Sequence, residues 1–299
     1  MAKSANVLSS EFAKFPVSDN AVSQDLGTAQ LDPRPQYRYT QQMTQEEIEE
    51  LFAQTLSGDY DDDAPWEAVS ALRRIGTREI FVRAAEWCNS ENPLLRARGA
   101  DVLSQLGKTW EHRSNSFPEE AYLVVSTLLQ REKEQLPLNS AIAALGHIQN
   151  PQAIPFIVEY RNHLSPKIRF TVACALGNFP NHPGAMETLL TLTQDADDDV
   201  RDWATFGLGV LSDSDSPEIR DALFRRVSDS NEDVREEAMV GLSKRTDPKV
   251  LPHLIAALEQ PRMTDRVRES AYLMLKMDED RIDWSGHDYV AALRQQFAL

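Results

Sequence analysis

The sequence predicts an all-α protein, an α-α superhelix in which pairs of helices stack into one curved array. The first observation is a repeat: in this 299-residue chain, Arg169, Arg201, Arg235 and Arg268 occupy equivalent positions, 32, 34 and 33 residues apart. The second is that apolar residues within each repeat recur at the spacing of a helix and not of a strand. A unit this short cannot bury its apolar face alone, so neighbouring units must stack.

Each repeat is predicted to contain two helices. In the unit that begins at Asn150, Pro151 precedes a first helix with apolar residues at 154, 157 and 158. The second helix carries Ile168, Val172 and Leu176 at helical spacing. Helix starts elsewhere follow the same rules, since Thr44 and Glu47 form a capping-box pattern and prolines 118 and 217 suit a first helical turn.

Glycines extend the series toward the N-terminus. Gly76, Gly107 and Gly146 follow the repeat with gaps of 31 and 39 residues, and the longer gap contains an insertion around Trp110–Phe117. A glycine, or another small residue, at this place is predicted to close each second helix in a left-handed turn. The array therefore has about seven helix pairs, over residues 45–277.

This pattern resembles the HEAT repeat, in the short bacterial form known as the phycobilisome-lyase-type HEAT-like repeat. The residues that carry the resemblance are Asn150–Pro155 at the head of one unit and the Val/Ile-Arg…Ala…Leu-Gly pattern of the second helices. The resemblance implies a solenoid whose first helices line the convex face and whose second helices line the concave face.

Both ends differ from the repeats. Residues 1–44 are poor in periodic apolar residues and include Asp32-Pro33-Arg34-Pro35, which predicts a flexible or extended segment. The alternative is a segment that folds back or captures a partner. Residues 278–299 are predicted to form a helix that caps the apolar side of the last repeat.

Charge narrows the choice of partners. The chain has 47 acidic and 31 basic side chains, a formal net charge of −16. Nucleic acids and anionic membranes repel such a surface, so neither is expected as a partner. The chain has only two cysteines, which suits a reducing cytoplasm, and no apolar run approaches the ~20 residues that a membrane-spanning helix needs. We therefore expect a cytoplasmic protein, and we expect it to be a monomer.

The repeated arginines are predicted to form a structural ladder rather than a catalytic site. Arg169, Arg201, Arg235 and Arg268 recur once in each unit, and a periodic residue supports a periodic fold. Asp199 and Asp233 directly precede two of the Val-Arg pairs and are the partners that the sequence suggests.

Acidic residues are concentrated in two equivalent turns, where stacking would align them as an acidic edge. The edge comprises Asp195, Asp197 and Asp198 in the fifth unit and Asp229 and Glu232 in the sixth. One interpretation is solvated turns whose aspartates cap the following helix. The other is a docking edge for a basic partner.

The second helix of the fifth unit predicts a partner-binding groove. Helical geometry places Asp202 and Thr205 on its open face, with Trp203 and Phe206 on the flank. Equivalent positions on neighbouring helices carry Phe170, Glu236, Glu237, Glu269 and Tyr272. Aromatic rings with a charged rim are typical of an interaction patch. The alternative is that the two rings only pack between adjacent repeats.

Signatures of enzymes are mostly absent from the sequence. The six histidines are dispersed over different units, without the spacing of a metal site, and no phosphate loop or nucleophile motif occurs. We therefore predict no catalytic residue, no metal and no cofactor. Cys88 and Cys174 are expected to be core residues.

Three hypotheses of function follow. The first is a protein-binding scaffold or adaptor for a partner with a basic surface, and one version is an immunity protein that neutralises a basic toxin. The second, suggested by the name of the repeat, is a bilin lyase or lyase chaperone acting on phycobiliproteins. The third is a repeat protein without a ligand, against which the irregular first units count.

Overall fold

The computed structural model describes residues 43–277 and 283–299, and these residues form helices and connecting turns without a β-strand. The expected flexible segment at 1–44 lies outside them except for its last two residues. The helices are α1 Gln45–Gln54, α2 Asp63–Ile75, α3 Arg78–Cys88, α4 Pro93–Ser104, α5 Pro118–Arg131, α6 Gln135–Ile148, α7 Ile154–Val158, α8 Pro166–Gly177, α9 Pro183–Leu192, α10 Asp198–Phe206, α11 Pro217–Arg226, α12 Glu232–Lys244, α13 Leu251–Leu258, α14 Asp265–Leu275 and α15 Gly286–Phe297.

The helices form two layers, which confirms the predicted superhelix. Odd-numbered helices α1 to α13 are the first helices of seven pairs, and even-numbered helices α2 to α14 are the second helices. Each second helix packs along the next one, and this layer is packed more closely than the layer of first helices. The array consequently bends toward the second helices, which line its concave side.

Most helix starts follow the predicted capping chemistry. The capping box is present, since Thr44 Oγ1 accepts a hydrogen bond from the Glu47 N–H and Glu47 Oε2 accepts one from the Thr44 N–H. Helices α5 and α11 begin at Pro118 and Pro217, where the missing N–H is not needed.

The repeat glycines have two different roles. Gly76 closes α2 with a φ of 66°, as predicted, whereas Gly107, with a φ of 78°, lies in the turn after α4, whose C-cap is Gln105. Gly146 instead lies inside α6, and the left-handed turn comes later, at Gln149. A Cβ on Gly146 would lie 2.6 Å from Ala175 Cα, so this glycine allows α6 and α8 to touch. Because second helices cross closely at this point, the small residue serves packing there and not termination.

The described C-terminal helix covers the last helix pair. Tyr289, Val290 and Leu293 of α15 are buried against α13 and α14, and Trp284 meets Tyr289 edge to face at 5.2 Å. Residues 278–282, which begin the expected capping segment, lie outside the described part of the chain. Among the helices described, none combines the length and apolar character needed to cross a lipid bilayer.

Candidate protein-binding groove

Helix α10 exposes only a narrow strip, because its neighbours in the second-helix layer, α8 and α12, cover both of its sides. Val200, Ala204 and Leu208 point into the core. Asp202, Trp203 and Phe206 lie on the half-buried strip. The strip therefore carries one acid and two rings on the concave side.

The aromatic side chains of the strip form a continuous row across neighbouring repeats. Phe170 of α8 meets Trp203 edge to face at 5.9 Å, and Trp203 meets Phe206 at 5.5 Å. The Arg266 guanidinium of α14 lies 5.5 Å from the centre of the Phe206 ring. Since all three rings are half-buried, they both pack between repeats and present apolar edges to the groove.

Carboxylates from α10, α12 and α14 lie around Arg266 beside this row, with Asp202 of α10 acting at longer range than the contacts of α12 and α14. Arg266 Nη2 lies 3.0 Å from Glu237 Oε1, and Arg266 Nη1 donates a 2.8 Å hydrogen bond to Glu269 Oε2. Glu236 of α12 is buried too, and its Oε1 accepts a 2.8 Å hydrogen bond from Thr264 Oγ1. The groove thus combines an acidic wall with an aromatic row.

Two of these acids have strongly perturbed proton affinity. Burial raises the pKa of Asp202 to about 7, with repulsion from Asp233 and Asp199 adding to it and Arg266 opposing it. Burial likewise raises the pKa of Glu237 to about 8, although the attraction of Arg266 opposes the shift. Both groups therefore exchange protons near neutral pH.

The expectation for Thr205 is corrected by the structure. Thr205 is fully buried, and its hydroxyl donates a 2.7 Å hydrogen bond to the Arg201 carbonyl. The apolar period of α10 alone could not predict this burial, because the neighbouring second helices α8 and α12 cover parts of α10 that the period leaves open. Tyr272 of α14 is half-buried. Asp202, Trp203 and Phe206 remain the accessible part of α10 in the groove.

The repeated arginines bind the following unit through a fixed set of hydrogen bonds. Arg169 Nε and Nη2 donate to the two oxygens of Asp195, both at 2.7 Å. Arg201 Nε and Nη2 donate to the two oxygens of Asp229, at 3.0 and 2.9 Å. In each arginine, Nη1 also donates to the carbonyls five and six residues earlier.

The acid partners differ from those that the sequence suggested. Asp199 and Asp233 are exposed, and the described residues give neither of them an ion pair with the arginine two positions later. Residues two apart on a helix point to different sides, so these aspartates cannot reach the arginine that follows them. A usable signal did exist: Asp195 and Asp229 each stand six residues before the arginine of their own unit.

Other arginines show where the ladder begins and ends. Arg96 pairs with both oxygens of Glu132, at 2.6 and 3.0 Å, a contact that the sequence analysis did not identify. Arg235 keeps its carbonyl contacts, but the residue six positions before Arg268 is Arg262, which cannot accept from it. Arg268 lies 3.2 Å from Asp265 of its own helix.

The predicted acidic edge is partly neutralised by this ladder. Asp195 and Asp229 accept hydrogen bonds from arginines of the ladder. Burial alone would raise the pKa of each carboxyl, but these hydrogen bonds hold the pKa below its ordinary value. Asp197 caps α10 by accepting from the Val200 N–H, and exposed Asp198 pairs with Arg201 at 2.6 Å. Glu232 is exposed at the start of α12.

One important arginine lies outside the repeated pattern. Arg245, at the end of α12, is buried, and its guanidinium donates to five backbone carbonyls between 2.7 and 3.1 Å. The acceptors are Leu208, Gly209, Ser212, Ser214 and Gly241. Arg245 donates hydrogen bonds to the Leu208 and Gly209 carbonyls of the π-helical segment Gly207–Leu211, which follows α10, and so fixes the end of α10.

The remaining chemical groups belong to the core. Cys88 and Cys174 are buried, and burial raises the pKa of both thiols. Burial lowers the pKa of His147 to about 3. Within residues 43–277 and 283–299, no three His, Cys, Asp or Glu side chains are placed to hold a metal ion.

Known proteins share both the sequence pattern and the fold. Protein YibA of Escherichia coli (strain K12) is 27% identical over 220 residues, which cover 71% of this chain and 76% of YibA. The X-ray structure of E. coli YibA superposes with a TM-score of 0.63 at 22% identity, over 85% of this chain and 98% of YibA. An engineered protein gives a TM-score of 0.53 at 15% identity, over 83% of this chain and 71% of its own.

A more distant structure is the complex of CpcE and CpcF of phycocyanin lyase from Nostoc sp. PCC7120, with a TM-score of 0.41 at 18% identity, covering 78% of this chain and 82% of that one. A likeness at this level carries no argument about function. The family model for HEAT repeats matches residues 124–209 and 186–276, which together span just over half of the chain. With the arginine ladder and the seven stacked helix pairs, this match shows that the chain belongs to the HEAT-repeat family.

Proposed function

We propose that this protein is a non-catalytic scaffold or adaptor, which binds a protein with a basic, partly apolar surface in the groove lined by α8, α10, α12 and α14. The observation that carries the proposal is the row of half-buried rings beside Asp202 and Glu237. Rings that are held in place by their neighbours lose little freedom on binding, and such rings dominate the affinity of many interfaces. A basic toxin neutralised by this protein is one partner of this kind.

Charge supports a basic partner over other classes. The chain carries a formal net charge of −16, and Asp202, Glu237 and Glu269 lie around Arg266 in the groove. Complementary charge accelerates encounter and discriminates against acidic proteins. The aromatic row would then supply the apolar contact that holds the complex.

The first prediction concerns the rings. Trp203→Ala combined with Phe206→Ala should weaken capture of the partner at least about 30-fold, because even one central aromatic anchor is worth about 2 kcal/mol or more. The measurement is affinity capture from a lysate of the source organism with immobilised wild type, identification by mass spectrometry, and then Kd determination for the purified partner with each variant.

The matched control is Trp110→Ala combined with Phe224→Ala. Trp110 is 74% exposed in the loop before α5, and Phe224 is 36% exposed on α11 in the first-helix layer. This pair removes the same amount of aromatic surface away from the groove and should leave Kd within about threefold. Equal losses of affinity in both pairs, or none in either, would contradict a groove at α10.

A second prediction separates attraction at long range from contact. Asp199→Asn combined with Asp233→Asn removes two exposed charges at the starts of α10 and α12. We expect a severalfold slower association at low salt, a flatter dependence on salt and an almost unchanged dissociation rate. Stopped-flow or surface-based kinetics at several salt concentrations measure this. An association rate that is the same in both proteins would remove Asp199 and Asp233 from the binding mechanism.

A further inference from the structure

Two buried carboxylate oxygens in the groove lack a hydrogen-bond partner. Asp202 Oδ1 and Glu237 Oε2 are both inaccessible to solvent, and neither accepts a hydrogen bond from any described residue. Glu237 itself is only 9% exposed. Buried carboxylate oxygens are almost always satisfied, because an unsatisfied one costs free energy, so this pair requires an explanation.

The carboxyl groups around Arg266 also outnumber the positive charges that contact them. Arg266 contacts Glu237 and Glu269 directly and attracts Asp202, so a single guanidinium serves three carboxyl groups. The Arg266 guanidinium carbon also lies 5.5 Å from the centre of the Phe206 ring. Its position is therefore fixed, and it cannot turn to satisfy Asp202 Oδ1 without losing contacts that it already makes.

We propose that Asp202 and Glu237 form a seat for one cationic side chain, a lysine or arginine, of the protein partner. This inference rests on the proposed function and names the chemical group that the groove recognises. A lysine ammonium or an arginine guanidinium supplies the N–H donors that the two orphaned oxygens lack. Because neither oxygen is accessible to solvent in the described structure, the side chains of Asp202 and Glu237 must turn toward the groove to accept from that cation. Phe206 and Trp203 stand beside the seat, where aromatic faces attract the same cations.

Protons partly occupy the seat at neutral pH when the partner is absent. The neighbouring side chains favour the protonated forms of Asp202 and Glu237, since most of the groups that face these two acids are acidic or neutral. They are Cys174 on α8, Asp199 on α10, Asp233 and Glu236 on α12, and Glu269 on α14, with Arg266 as the base. Because the pKa values of Asp202 and Glu237 are raised to about 7 and about 8, entry of a cation releases protons near neutral pH.

The direction of the pH effect follows from this exchange. A cation binds the ionised carboxylates, so it competes with protons. Affinity should rise as the pH increases from about 6 to about 9 and level off once both acids are ionised without the cation. An ordinary exposed acidic patch, whose carboxyl groups titrate near pH 4, would show no such change over this range.

The test uses the full-length protein and a blocked peptide of alternating leucine and lysine as the probe. Titration calorimetry at pH 7.5 in two buffers of different ionisation enthalpy gives Kd and the number of protons released. Wild type should release up to about one proton for each peptide bound, since at pH 7.5 Asp202 is about one quarter protonated and Glu237 about three quarters protonated. Asp202→Asn combined with Glu237→Gln should release essentially none and bind at least about tenfold more weakly.

Matched controls distinguish binding at Asp202 and Glu237 from attraction by the overall negative charge of the protein. Glu159→Gln combined with Glu187→Gln removes two charges from exposed positions outside the groove and the acidic edge and should keep the proton release and a Kd within about threefold of wild type. The same peptide with acetylated lysines should neither bind tightly nor release protons. Thermal melting of each variant confirms that it is folded.

The outcomes separate this inference from the proposed function. Binding without proton release, equal Kd in the two double variants, or failure of the lysine peptide to bind wild type would each overturn the cation seat. Capture of a partner that is lost in the Trp203→Ala, Phe206→Ala protein would still support the scaffold. If the ring variants also have no effect on capture, the groove itself is the wrong site.

Discussion

Replacing Arg245 by alanine is expected to lower the free energy of unfolding by about 3–5 kcal/mol, the largest effect we expect from one side chain outside the apolar core. The substitution leaves five carbonyls without their donor, at Leu208, Gly209, Ser212, Ser214 and Gly241. Four of these carbonyls belong to the irregular end of α10 and the turn after it, which lack a regular helical ladder, and the fifth, Gly241, lies in the last turn of α12. Chemical denaturation followed by circular dichroism measures the change.

Two variants sharpen this experiment. Arg225→Ala on the exposed surface of α11 loses the same charge and should change stability by less than about 0.5 kcal/mol. Arg245→Lys keeps the charge but cannot reach acceptors on both sides as a planar guanidinium does, so it should recover only part of the loss. A cost for Arg245→Ala as small as that for Arg225→Ala would show that water satisfies the carbonyls equally well.

The second large effect is a stabilisation that grows with pH. Asp202→Asn should increase the free energy of unfolding at pH 9 by up to about 4 kcal/mol, and by little at pH 4. The pKa of Asp202 rises from 3.8 to about 7 on folding, and each pKa unit corresponds to about 1.4 kcal/mol. The folded protein therefore binds more protons than the unfolded chain between these values. Consequently wild type loses stability as the pH rises through this interval, and the asparagine variant does not.

Denaturation at a series of pH values from 4 to 9 measures this difference. Glu187→Gln, at an exposed position of α9, is the control, and its free energy of unfolding should follow that of wild type at every pH. A gain for Asp202→Asn that is the same at pH 4 and pH 9 would mean that packing, and not ionisation, explains it. If the expected trend is found, the empty groove costs stability, and that cost is consistent with a site arranged for a cation.

The repeat architecture could be read from the sequence because it depends on local, periodic information. Helix starts at Pro118 and Pro217, the capping box at Thr44, and the paired helices after Pro151 all follow from residue types within one helical turn. The same period placed Arg169 and Arg201 correctly at the start of their second helices. It also placed aromatic and acidic side chains together on α10, where the structure shows them on one half-buried strip.

Contacts between units were beyond the reach of local periodicity. Arg201 binds Asp229, 28 residues later, instead of Asp199, because a guanidinium reaches the next turn of the stack more easily than the opposite side of its own helix. Gly146 proved to be a packing residue for the same reason, since the closeness of α6 and α8 is a property of the stack.

What the sequence by itself determined is therefore the all-α class, the number of helix pairs, the family and the acidic character of the groove. Only the tertiary structure decided that Thr205 is buried, that Arg245 holds five carbonyls, and that Asp202 and Glu237 each keep an oxygen without a donor. The physical reason is that burial and hydrogen-bond satisfaction are set by neighbours about 30 residues away along the chain. A helical period of 3.6 residues describes one helix and contains no information about what lies beside it.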